Sequence, residues 1–148
     1  MDILHREQMT ALSRFFGQIV ELYTRWAKKE GISYNKLAVI MTIFENEQAT
    51  QRKISLEWGL PKQTVSTICK NFEQDGLIAY SIGADDSREK YMTLTAKGKE
   101  YFEPMVKKLH AVESYALQKI GQERMAIMLQ SMELFTNAFE EGVTEVKK

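Results

Sequence analysis

The chain has 148 residues, the size of one folded domain with a substantial hydrophobic core. Hydrophobic residues make up 44% and charged residues 27% of the sequence, which excludes general disorder and fibrous repeats. The 20 basic and 20 acidic side chains cancel, so the total charge alone gives no indication of a polyanionic partner.

The sequence shows no feature of an exported, membrane-bound or metal-binding protein. Its single cysteine, Cys69, excludes an intrachain disulfide and a cysteine-rich zinc site, and His5 and His110 lack partners at ligand spacing. No apolar run reaches the roughly 18 residues of a membrane helix, and residues 1–6 lack a signal-peptide pattern. We therefore expect a cytoplasmic protein without membrane association, metal or other cofactor.

The first half of the chain has the pattern of helices. Apolar residues from Leu12 to Trp26 recur at three- and four-residue intervals, which predicts a long amphipathic helix ending near Gly31. Ser33 is suited to cap a second helix, which the polar residues 45–48 should end. The inward-facing residues of this second helix should be Leu37, Ile40, Met41 and Phe44.

Two shorter helices should follow. Thr50 is suited to cap a helix over residues 51–58, and Gly59 breaks the chain after it. Pro61 fits the first turn of the next helix, which Gly76 closes. The buried stripe of that helix should consist of Val65, Ile68, Cys69 and Phe72.

The pattern changes after Gly76. Residues 77–82 and 89–95 are rich in β-branched and aromatic residues and flank a turn-like segment, which predicts a β-hairpin. Two long helices then follow, the first containing Pro104, with a break near Gly121. The repeating apolar positions of these helices are Phe102, Met105, Leu109, Val112, Ala116, Met125, Met128, Leu129, Met132, Phe135 and Phe139.

This order of elements predicts a mainly α fold with one β-hairpin. A short helix, a tight turn, a second helix and a hairpin form the plan of a winged helix-turn-helix. We expect residues 33–99 to form this winged lobe, with residues 1–32 and 100–148 forming a helical lobe of the same single domain, 1–148.

The predicted helix from Pro61 to Asp75 carries the strongest functional signal. No Asp or Glu occurs between Trp58 and Phe72, and the segment 50–99 has eight basic and six acidic residues. A helix that approaches phosphate-walled DNA grooves needs such a face, whereas an ordinary solvated face mixes acids with bases. The exposed side chains, all potential hydrogen-bond donors, are Lys62, Gln63, Ser66, Thr67, Lys70 and Asn71.

The tip of the hairpin is a second candidate contact. Arg88 is placed to enter a minor groove, and Lys90 to reach a phosphate. Asp85, Asp86 and Glu89 surround Arg88, so a local salt bridge is an equally good interpretation.

These residues resemble a known family. Residues 86–98, DSREKYMTLTAKG, resemble the wing signature of the multiple-antibiotic-resistance regulator (MarR) family, in which Asp and an Arg two residues later precede Leu-Thr and Lys-Gly. Residues 60–66, LPKQTVS, and 72–78, FEQDGLI, are similar to that family's recognition helix and its exit into the wing.

The resemblance implies a homodimeric transcriptional regulator, more commonly a repressor, that binds a pseudo-palindromic operator in double-stranded DNA. It implies that residues 1–32 and 100–148 form the dimerisation lobe, that Thr64 belongs to the DNA-binding face, that Arg88 works in the minor groove and that Asp86 supports the wing. It also implies release by a small aromatic or anionic ligand. A pocket for it would contain Tyr23, Trp26, Met41 and Phe44, which are equally good core residues.

Other functional classes are less well supported by the sequence. A helical winged-helix module that binds protein and not DNA would need a hydrophobic patch on the face from Lys62 to Asn71, and that face is polar. We expect no enzyme, because the chain has no phosphate-binding loop, metalloprotease motif or nucleophile elbow. Cys69 is interpreted as a small core residue in preference to a redox sensor.

Overall fold

The computed structural model describes residues 2–82 and 90–146 and has the predicted mainly α architecture with one hairpin. Its elements match the predicted order throughout. They are α1 (Ile3–Lys29), α2 (Tyr34–Glu45), α3 (Gln51–Trp58), α4 (Lys62–Gln74), β1 (Ile78–Ile82), β2 (Lys90–Leu94), α5 (Ala96–Ile120) and α6 (Gln122–Glu145).

Side-chain caps and left-handed glycines set the helix boundaries. Ser33 accepts a hydrogen bond from the backbone N–H of Lys36 at 3.2 Å, and Thr50 accepts one from Lys53 at 3.1 Å. Gly59 ends α3 with a φ of 61° in the left-handed region, where a side chain is unfavourable. The predicted ends of α2 and α3 are therefore confirmed.

Helix α2 lies at the centre of the winged region. It contacts α1, α3, α4 and β2, and all seven consecutive residues from Leu37 to Ile43 are buried. The predicted stripe of Leu37, Ile40 and Met41 is correct but too narrow, and Phe44 is only half-buried. A helix surrounded on all sides buries residues that a 3.6-residue period does not select.

The hairpin is antiparallel, and its register pairs Ile78 with Leu94 and Ile82 with Lys90. Ala49, just before the cap of α3, adds a bridge to Met92 through two backbone hydrogen bonds of 3.0 and 2.8 Å. Met92 is fully buried. The helix-turn-helix and the wing are thus joined by main-chain hydrogen bonds, which the sequence pattern did not predict.

The Thr-Ala-Lys-Gly segment after β2 has a structural role. The Thr95 hydroxyl accepts a hydrogen bond from the Gly98 N–H at 3.0 Å, and the Lys97 ammonium donates one to the Asp75 carbonyl at 2.7 Å. A Cβ atom on Gly98 would lie 1.9 Å from the Leu77 carbonyl oxygen. Only glycine allows this close approach of α5 to the entry of β1.

The chain forms two compact units, residues 1–105 and 106–148. In the first, the rings of Phe72 and Phe102 pack edge to face, with centroids 5.4 Å apart. The second contains the remainder of α5, which runs unbroken through Pro104, and α6, which follows Gly121. Helix α6 has no buried residue. No helix within the described residues is long and apolar enough to cross a membrane.

Candidate nucleic-acid interface

Helix α4 has two chemically different faces. Its predicted apolar stripe is confirmed, because Val65, Ile68, Cys69 and Phe72 are all buried. The opposite face projects away from the core. There Lys62, Gln63, Thr67, Lys70 and Asn71 are exposed, and Thr64 and Ser66 are half-buried.

The donors on this face are not equally available. The Thr67 hydroxyl donates to the Gln63 carbonyl at 2.9 Å, so its hydrogen is already bonded within the helix. The Gln63 amide nitrogen lies 3.5 Å from the Thr67 hydroxyl oxygen, at the limit of a hydrogen bond. Among the described residues, Lys62, Lys70 and Asn71 donate no side-chain hydrogen bond on this face, and Thr67 offers an acceptor and a methyl group.

A groove of about 440 Å³ runs between the start of α3, the side of α4 and the hairpin. It brings together three of the predicted contact residues, Ser66, Lys70 and Lys90, and adds Arg52, which sequence reasoning missed. The signal for Arg52 was its place in the first turn of α3, off the stripe of Ile54 and Trp58. The complete lining is Thr50, Gln51, Arg52, Ser66, Lys70, Glu73, Tyr80 and Lys90.

One hydrogen bond joins two walls of this groove. The Gln51 amide nitrogen donates to the Tyr80 hydroxyl at 2.9 Å and so connects α3 to β1. Burial raises the pKa of Tyr80, and the hydrogen bond from Gln51 opposes part of that rise. The phenol therefore keeps its proton at neutral pH.

The two wing residues Arg88 and Asp86 lie outside the described residues, so their roles stay predictions. Lys90, the first residue of β2, is exposed and lines the groove.

The residues predicted to line a ligand pocket differ in burial, and their joint role in a pocket stays a prediction. Met41 is only 4% exposed and belongs to the core, while Tyr23 and Trp26 are half-buried. Phe44 lines a cavity of about 660 Å³ that the other three do not reach. The remaining residues of that cavity are Ile43, Glu47, Thr93, Leu94, Lys99 and Glu103.

Cys69 has the environment of a structural thiol. Its side chain is completely buried, and burial raises its pKa to about 12. The prediction of a core role is confirmed. Within residues 2–82 and 90–146, no cluster of three or more His, Cys, Asp and Glu side chains could hold a metal ion. His5 instead contacts Asp2, with 3.2 Å between its Nδ1 atom and the carboxylate.

Known proteins are similar to this chain in sequence and in fold. Residues 30–89, which include the helix-turn-helix, match the model of the MarR family. An uncharacterised helix-turn-helix-type transcriptional regulator of Staphylococcus aureus is 25% identical over 120 residues, covering 75% of this chain and 82% of that protein.

Two solved structures extend the comparison to nearly the whole chain. A MarR family regulator from Neisseria meningitidis is 28% identical with a TM-score of 0.84, covering 93% of this chain and 97% of that one. MarR of Staphylococcus aureus in complex with salicylate and kanamycin is 21% identical with a TM-score of 0.69, covering 95% of each chain. The latter likeness shows the same fold.

Proposed function

Because this chain belongs to the MarR family of DNA-binding transcriptional regulators, we propose that α4 is its recognition helix and that the chain binds a pseudo-palindromic operator as a homodimer. The observation that carries the proposal is the outer face of α4, where every charged side chain from Lys62 to Asn71 is basic. A protein-binding module would need an apolar face at this position.

The side chains of α4 match the donor and acceptor pattern of the major groove. Gln63 and Asn71 can each form two hydrogen bonds to adenine, and Lys62 and Lys70 can reach guanine or a phosphate. The side chains of Thr64, Ser66 and Thr67 are shorter, so they contact bases or phosphates that lie closer to the helix backbone. On the wing, we propose that Lys90 contacts a phosphate, that Arg88 enters the minor groove and that Asp86 supports the wing itself.

The dimer is proposed from unburied apolar surface on the helices outside the winged lobe of residues 33–99. Each of α1 and α6 exposes many large apolar side chains to water, which is typical of an interaction surface. On α1 the exposed residues are Ile3, Leu4, Phe15, Phe16, Ile19, Val20 and Leu22, and on α6 they include Ile127, Met128, Leu129, Leu134, Phe139 and Val143. In a two-fold symmetric dimer the two copies of α4 would lie about 34 Å apart, or a multiple of that distance. This spacing lets each copy enter a major groove on the same side of the DNA.

An effector completes the proposed function. Salicylate is present in the complex of the staphylococcal MarR. We propose that this chain is a repressor and that a small aromatic or anionic effector, on binding to it, causes it to release its operator DNA. The cavity beside Phe44 is a candidate for the aromatic kind of effector, because Ile43, Phe44 and Leu94 give it apolar walls and Lys99, Glu47 and Glu103 give it polar groups.

The test is binding to a labelled duplex from the DNA upstream of the chain's own gene, followed by fluorescence anisotropy. Lys70→Ala and Asn71→Ala should each weaken binding about 10-fold, because each removes a contact worth about 1–3 kcal/mol. Arg124→Ala, an exposed charge on α6, is the control and should bind like the wild type. Unchanged affinity in both Lys70→Ala and Arg88→Ala would refute the assignment of the recognition helix and wing.

A further inference from the structure

The groove between α3, α4 and the hairpin has a net positive lining. We propose that it seats one backbone phosphate of the operator, and that Arg52 is a phosphate ligand that supplements the contacts of α4. This inference rests on the proposed function and adds a contact from the first helix of the helix-turn-helix. The strand that passes from the major groove at α4 to the minor groove at the wing would cross this groove.

The charges of the groove favour an anion. Of the described residues that line the groove, three are cations, Arg52, Lys70 and Lys90 from α3, α4 and β2, and one is a carboxylate, Glu73. Among the residues that the structure describes, none of these cations forms an ion pair. Their charge therefore faces the groove and solvent. The guanidinium of Arg52 matches two phosphate oxygens at once, which a lysine cannot do.

Neutral hydroxyl groups complete the lining. The Thr50 hydroxyl oxygen accepts the Lys53 N–H, and the Tyr80 oxygen accepts the Gln51 amide. In their bonds to other described residues both hydroxyls act as acceptors, so their own hydrogens can donate to an anion. The groove thus offers donors in addition to charge, as a bound phosphate requires.

The walls of the groove are fixed relative to one another. The bond from Gln51 to Tyr80 spans 29 residues, and the bridge between Ala49 and Met92 joins the same two parts of the chain. An anion entering the groove would meet groups that are already held in place, which lowers the entropic cost of binding.

Two adjacent residues of α3 provide a matched test. Lys53 carries the same charge as Arg52, but its ammonium contacts Asn46 at 2.6 Å and Glu57 at 3.6 Å and does not line the groove. In anisotropy titrations of the full chain with its upstream duplex, Arg52→Ala should weaken binding about 10-fold. It should also reduce the slope of log K against log salt by about 0.9, the loss expected for one phosphate. Lys53→Ala should change neither the affinity nor the slope.

A second variant tests whether removing a negative charge from the groove changes DNA affinity in the opposite direction to removing a positive charge. Glu73→Gln removes the carboxylate that the described residues contribute to the groove and should strengthen DNA binding about threefold, a gain that damage to the fold cannot produce. The inference is overturned if Arg52→Ala and Lys53→Ala behave alike and Glu73→Gln binds like the wild type. If the wild type binds the duplex in that case, the proposed function stands.

Free phosphate is the alternative source of the same anion. Calorimetric titration of the DNA-free protein with inorganic phosphate should give at most millimolar binding. Micromolar binding of inorganic phosphate that is lost in Arg52→Ala, while DNA binding is unchanged, would assign the groove to a free anion and overturn the inference. Failure of the wild type to bind the duplex at all would overturn this inference together with the proposed function.

Discussion

Helices α2 and α6 differ in how many of their residues are buried within a single chain. Helix α2 has 12 residues and buries seven of them in succession, whereas α6 has 24 residues and buries none. The apolar faces of α2 are covered by four neighbouring elements of the same unit. The apolar side chains of α6 lack such cover, so we infer that the winged region is complete within one chain and that α6 needs a partner.

The largest expected effect separates these two regions directly. Replacing Leu134 and Phe139 of α6 together by Glu should raise the dissociation constant of the dimer at least about 100-fold, since two buried interface anchors are worth about 2 kcal/mol each. Sedimentation velocity measures the change. Gln130→Glu, an exposed polar residue of the same helix, is the control. A double variant that still sediments as a dimer would place the interface elsewhere.

A glycine pair tests the tight packing at the base of the wing. Gly98→Ala should lower the free energy of unfolding by about 3 kcal/mol, because its Cβ meets the Leu77 carbonyl oxygen. Gly17→Ala in α1, where nothing lies within 4 Å, should raise it by about 0.5–1 kcal/mol. Urea unfolding followed by circular dichroism measures both. Equal effects of the two substitutions would contradict the close contact.

The smallest expected effect concerns the pH dependence of stability. Burial raises the pKa of Cys69 from 9.0 to about 12. Between these values the unfolded chain loses the thiol proton and the folded chain keeps it, so stability falls as pH rises through this window. Cys69→Ala should lose stability less steeply than the wild type in urea unfolding at pH 8 to about 10. A thiol reagent should react with native Cys69 only after denaturant is added, and rapid reaction would show an accessible thiol.

Local signals explain how much of the fold the sequence predicted. Ser33, Thr50, Gly59 and Gly76 set helix ends through groups a few residues away, so single residues were sufficient to predict them. The apolar stripe of α4 was correct because that helix packs on one side only, which its 3.6-residue period records.

The missed features depend on contacts between distant residues. Arg52 and Tyr80 line the same groove because α3 and β1 come into contact there. The residue spacing within either element does not predict this contact. The requirement for glycine at position 98 arises from the backbone of residue 77, across the whole wing. The Lys-Gly pair of the wing signature could be recognised in the sequence. The structure is needed to show why the glycine is required, namely its contact with the backbone of Leu77.

The most direct test of the central claim, that α4 reads DNA sequence, is a measurement of specificity. The affinity for the upstream duplex is divided by the affinity for a scrambled duplex of equal length at the same salt concentration. We predict a wild-type ratio of at least about 10³, reduced about 10-fold by Asn71→Ala and unchanged by Arg124→Ala. A wild-type ratio near one, or a ratio that Asn71→Ala leaves intact, would contradict it.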